Sequence, residues 1–119
     1  MLSAMPIATH VPHPLPAPLV ELIAERFRIL GEPMRIRLLD ALRDGEATVQ
    51  QLEEATGASQ QNVSKHLGVL LRAGIVARRK EGNFSVYSIA DQAIFSLCEE
   101  VCGNLHRQAA ELESLLKGA

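Results

Sequence analysis

The hydrophobic period of this chain changes once and then changes back, and that switch constrains the fold more than any other feature. From Leu19 to Leu71 the apolar residues recur every three or four positions, as on helix faces. Ile75 to Lys80 and Phe84 to Ile89 read instead as two strands, with Glu81-Gly82-Asn83 as the tight turn between them. A long helical pattern then resumes from about Asp91 to Lys117. The pattern predicts a mainly α fold with one small β-hairpin.

Punctuating residues divide the first helical stretch into four. Helix begins near Pro18, a good first-turn residue, carries Leu19, Leu22, Ile23, Phe27 and Leu30, and stops at Gly31. Pro33 opens a second helix with Met34, Ile36, Leu38, Leu39 and Leu42 inward and Gly45 as its stop. Thr48 with Gln51 forms a capping-box pattern for a short third helix, Val49 to Thr56, ended by Gly57. Ser59 caps the fourth, whose apolar positions are Val63, Leu67, Leu70 and Leu71 before Gly74. Residues 1 to 18 hold five of the six prolines, so residues 1–17 read as a flexible proline-rich arm and 18–119 as one folded domain.

Two short helices across a Gly-containing turn, followed by a hairpin, make the winged helix-turn-helix layout. At 119 residues and 47% apolar the chain can bury one core but leaves much surface uncovered, so an apolar face shared with a second copy, as in a dimer, is expected.

In such a layout the second of the two helices enters the major groove by its N-terminal turns. Here those turns offer Ser59, Gln60, Gln61, Asn62, Ser64, Lys65 and His66. Gln and Asn can bond bidentately to adenine and Lys to guanine, while Ser suits phosphate. His66 is read as facing DNA, with packing as its alternative. Net charge is only −2, yet Ser59 to Lys80 holds five basic residues and no acidic one. Three of them, Arg78, Arg79 and Lys80, precede the hairpin tip, where a basic wing can clamp phosphates. The predicted partner is double-stranded operator DNA.

These motifs carry a family resemblance. The phrases LGEPMRIRLLDAL, SQQNVSKHLGVLLRAGIV and KEGNFSVYSI, within a stretch running from about Leu19 to Asp91, resemble the ArsR/SmtB family of bacterial repressors. The resemblance implies a homodimer built on the first and last helices and a repressor released from DNA by an inducer. Three inducer sites familiar in that family lack their residues here. The third-helix segment ATVQQLEEA has no cysteine, Ala93 stands where an Asp-x-His pattern from Asp91 needs histidine, and MRIRLLDAL has no cysteine for a redox pair.

What the last helix does carry is Cys98, Cys102 and His106, spaced i, i+4, i+8. Residues four apart on a helix have Cβ atoms about 5–6 Å apart, whereas a disulfide prefers about 3.5–4.5 Å. A soft ion with ~2.3 Å metal–sulfur bonds spans the pair with less strain. Candidates are trivalent arsenic or antimony, Cd, Pb or Zn, with His106, or His10 and His13 from the arm, as further ligands. Simple packing of the thiols and thiol oxidation or persulfidation remain alternatives.

No run approaches the ~20 apolar residues of a membrane span. No secretory signal is visible, which with two free thiols predicts a cytoplasmic location. No nucleophile–base set, phosphate-binding glycine loop or catalytic metal motif is present, so an enzyme is not expected.

Overall fold

The computed structural model describes residues 10–118; residues 1–9 of the expected arm and Ala119 lie outside the described residues. The elements are α1 (Ala17–Leu30), α2 (Pro33–Ala41), β1 (Ala47–Thr48), α3 (Val49–Thr56), α4 (Gln60–Arg72), β2 (Val76–Glu81), β3 (Phe84–Ile89) and α5 (Gln92–Gly118). The strands form an antiparallel sheet in the order β1-β3-β2. The wing therefore has a third strand, Ala47–Thr48, that the sequence pattern does not show. Two residues are too few to show an alternation, and Thr48 also serves as a helix cap.

Local chemistry sets the boundaries of α3 and α4. Thr48 and Gln51 exchange side-chain and backbone hydrogen bonds at 2.9 and 3.2 Å, closing the capping box of α3. Gly57 (φ 75°) ends that helix in the left-handed conformation that its missing Cβ permits. The Ser59 hydroxyl accepts from the Asn62 amide at 3.2 Å and starts α4. The second helix stops at Ala41, short of the Gly45 expected from sequence. The Leu42 amide already shares the Leu38 and Leu39 carbonyls, and the Arg43 amide bonds back to Asp40, so the backbone tightens into turns before the glycine.

The core lies between α2, α3, α4 and one face of the sheet. Leu38, Leu39, Leu42, Leu52, Val63, Leu67, Leu70, Ile75, Val76 and Tyr87 form it. Burying each of the larger aliphatic side chains contributes about 1.5–3 kcal/mol. The outer helices contribute little: α1 buries only Leu30 and α5 buries no residue fully. Ile94, Leu97 and Cys98 of α5 pack half-buried on the core, and Arg43 reaches Glu99 at 2.7 Å. Ile36, expected inward, is 47% exposed and turns towards α5 instead. Beyond Cys98 every apolar side chain of α5 is exposed, as are Leu22 and Phe27 of α1. No helix among the described residues is long and apolar enough to cross a membrane.

Candidate nucleic-acid interface and thiol pair

The amphipathicity of α4 decides what its surface offers. Val63, Leu67 and Leu70 point into the core, which turns Ser59, Gln60, Gln61 and Lys65 outward and leaves Asn62 and Ser64 half-buried at the edge of that face. The Gln60 amide donates to the Ser64 hydroxyl at 3.4 Å. No acidic side chain stands in the first turn, so the partial positive charge of the helix N-terminus is uncompensated there.

His66 does not join this face. It is 5% exposed and lies behind α4, so the expectation that it meets DNA is corrected. Its Nδ1 accepts from Arg35 Nε at 3.1 Å, and Nε2 lies 3.9 Å from Glu32 Oε1. Glu32 in turn caps α2 by accepting from the Met34 amide at 2.7 Å, and Arg35 donates to the Ile29 carbonyl at 3.1 Å. Burial pushes His66 below its ordinary value of 6.5; Glu32 opposes the shift, and Arg35 and Lys65 add to it. A neutral imidazole accepting from Arg35 therefore ties α4 to α2.

The wing presents Arg78, Arg79 and Lys80, all exposed. The strand register pairs Arg79 with Val86 and places Arg78 and Lys80 on the other face, opposite Tyr87 and Ser85. Arg79 is not an isolated cation. It forms a two-pronged pair with Glu46, next to β1, and Nη1 lies 3.4 Å from Glu81. The guanidinium holds the Glu46 carboxyl below its usual value, and the two carboxylates raise Arg79. Glu46 was not among the residues singled out by sequence; only the unexpected β1 brings it to the wing.

The two thiols line one apolar groove of about 490 Å³ between α5 and the α1–α2 corner, with Phe27, Leu30, Ile36, Leu97, Val101 and Leu105. Cys98 is half-buried and Cys102 exposed; neither is in a disulfide. Burial raises the Cys98 thiol, and Glu99 raises it further. His106 is a correction to the expected ligand set: it does not line this groove and instead borders a separate hollow with Ala109, Ala110, Leu112, Glu113 and Leu116. Eight helical residues carry it about 12 Å along the axis and about 80° around it from Cys98. His10 and His13 are exposed and do not line the groove. Among the described residues no three His, Cys, Asp or Glu side chains come together as a metal cage. Within one protomer the groove thus carries two free thiols and, among the described residues, no third side chain of these types.

Residues 30–79, which span α2 to most of β2, match the model of a helix-turn-helix domain. The uncharacterized HTH-type transcriptional regulator Rv0081 of Mycobacterium tuberculosis is 44% identical over 81 residues, covering 67% of this chain and 71% of that protein. The chain belongs to the ArsR/SmtB family of transcriptional regulators. The structure of a homodimeric winged helix-turn-helix DNA-binding domain, Mb0332 of Mycobacterium bovis, superposes on this ArsR/SmtB chain with a TM-score of 0.73 at 28% identity, covering 80% of this chain and 88% of that one. The antimony-specific transcriptional repressor AntR superposes with a TM-score of 0.72 at 27% identity, covering 88% and 94%.

Within this ArsR/SmtB chain the matched domain ends at Arg79, and both cysteines lie beyond it on α5. Asp91, which the family resemblance pairs with a metal-binding histidine, has structural duties here. Its Oδ1 accepts from the Ile94 amide at 3.1 Å to open α5, and Oδ2 lies 3.9 Å from Arg26.

Proposed function

We propose that the chain is a homodimeric repressor that binds double-stranded operator DNA through α4 and the β2–β3 wing, and leaves it when a thiophilic metal or metalloid bridges Cys98 and Cys102. The observation that carries the DNA reading is the exposed, acid-free N-terminal face of α4, set on a helix whose opposite side is fully committed to the core. Ser59, Gln60, Gln61, Asn62, Ser64 and Lys65 face the major groove in this reading, and Arg78, Arg79 and Lys80 meet the backbone. The exposed apolar faces of α1 and α5 supply the pairing surface, as a homodimeric relative would lead one to expect.

Two thiols on one groove support the inducer reading, and an antimony-specific relative favours trivalent arsenic or antimony among the soft ions. Oxidation to a disulfide is the weaker alternative, because residues four apart on a helix hold their Cβ atoms about 5–6 Å apart, wider than the about 3.5–4.5 Å that a disulfide prefers. Release follows if the ligand-bound dimer prefers a different spacing of its two recognition helices, which must match half-sites about one DNA turn apart.

Fluorescence anisotropy on a duplex from the chain's own promoter tests this, titrated with arsenite, antimonite, Cd, Pb, Zn and peroxide. One or more soft ions should release the wild-type protein, and Cys98→Ser with Cys102→Ser should abolish that release while leaving DNA affinity intact. Release unaltered in the double variant removes the thiol site; absence of salt-sensitive DNA binding removes the whole reading.

A further inference from the structure

We infer that Arg26 is a positioning residue for operator recognition, the joint that fixes the C-terminal end of α4 to α1 and α5; this rests on the reading of α4 as the DNA-reading helix. Arg26 projects from α1, and its Nη1 donates to the Ala73 carbonyl at 2.6 Å. Ala73 is the C-cap of α4, where carbonyls lack partners within the helix and the dipole favours a cation. The other guanidinium nitrogen lies 3.9 Å from Asp91 Oδ2, and Asp91 opens α5 through its bond from the Ile94 amide.

The backbone converges on the same place. Gly74 (φ 76°) turns the chain out of α4 into the fully buried Ile75. The Ile75 carbonyl then accepts from both the Ala90 and Asp91 amides, at 2.9 and 3.1 Å. The end of α4 and the start of α5 are thus held within a few bonds of one another, and Arg26 adds α1 to that junction. The body of α4 is locked to its neighbours by Val63, Leu67 and Leu70, so it moves as a rod. Without the Arg26 joint α4 is held by its core face alone, which alters how the end bearing Gln60 and Gln61 is set relative to α1 and α5. Cys98 lies seven residues beyond Asp91, about 10 Å along the helix.

The test uses the full chain, a duplex that the wild-type protein selects from a random-sequence library, and a scrambled duplex of equal length. Arg26→Ala should weaken binding to the selected duplex about tenfold, the scale of one charge-assisted hydrogen bond. Binding to the scrambled duplex should change less than about twofold, because phosphate contacts carry it. The dimerisation constant, read by sedimentation, should be unchanged. Arg26→Lys keeps a donor for Ala73 and the charge opposite Asp91, and should restore most of the selectivity. Asp91→Asn keeps the acceptor that opens α5 but drops the ion pair, and should fall between. If Arg26→Ala does not fold, Arg26→Gln, which can still donate to Ala73, replaces it and should also fall between. Equal losses on the two duplexes, or unchanged selectivity in every Arg26 variant, overturn the inference. If the wild-type protein selects no duplex, the DNA reading of α4 has failed and the inference falls with it.

Discussion

His66 stands three residues after Val63 and four before Leu70, and at 100° per residue those three positions share one side of α4. That spacing was open to inspection in the sequence, but the polar company of Gln60 to Lys65 suggested the outer face. The partner that makes burial tolerable, Arg35, is 31 residues away and could be supplied only by the fold. The consequence is measurable. The native imidazole titrates below 6.5, so between the two values the unfolded chain binds more protons than the folded one. This site's full stability is therefore present above about pH 6.5 and is lost as the pH falls through the native value. Thermal melts from pH 7.5 to 5 should show that decline, and His66→Gln should flatten it; an unaltered profile would place the acid sensitivity elsewhere. The wing arginines also separate at this scale. Lys80→Ala should lower the slope of log K against log salt by about 0.9, the value of one phosphate contact. Arg79→Ala should lower it by less, because Glu46 and Glu81 already engage that guanidinium. A larger drop at Arg79 would mean that both carboxylates let go when DNA arrives.

Helices and strands were legible where their termini carry chemistry. Thr48 with Gln51, Gly57 and Ser59 fixed α3 and α4 to within a residue, because each signal acts through its immediate neighbours. The end of α2 and the existence of β1 were not legible, since turn tightening and strand pairing both depend on what packs alongside. Ile36 fits the helical period as well as Leu39 does, and period alone cannot tell a core from a groove. Stability should follow this division. Ser59→Ala removes the acceptor for the Asn62 amide and should cost about 1 kcal/mol. Leu67→Ala opens a void in a fully buried position and should cost about 2–5 kcal/mol. Urea titrations of the two variants should rank them in that order; the reverse order would contradict the assignment of α4's inner face.

For the molecule as a whole, the helical period of Val101, Leu105, Leu112 and Leu116 was plain in the sequence, but its burial is not found inside one protomer. These side chains are 51–72% exposed on a helix that contributes nothing fully buried to the core. Replacing Leu105 and Leu112 together by Glu should therefore leave the protomer's circular dichroism near native while abolishing self-association in sedimentation. Affinity for a two-half-site duplex should then fall towards that of one half-site. Retained association would move the pairing surface off α5. The candidate thiol site was only half legible for a related reason: i, i+4 spacing brings Cys98 and Cys102 to one groove, but the groove's other wall comes from α1 and α2.

The scarcity of core duties along α5 bears on how the protomer tolerates change. Past Cys98, a substitution on this helix has no protomer interior to upset. Gln60, Gln61 and Lys65 are likewise exposed, on the outer face of a helix whose other side fills that interior. Alterations confined to either surface should therefore leave the fold of a single copy standing.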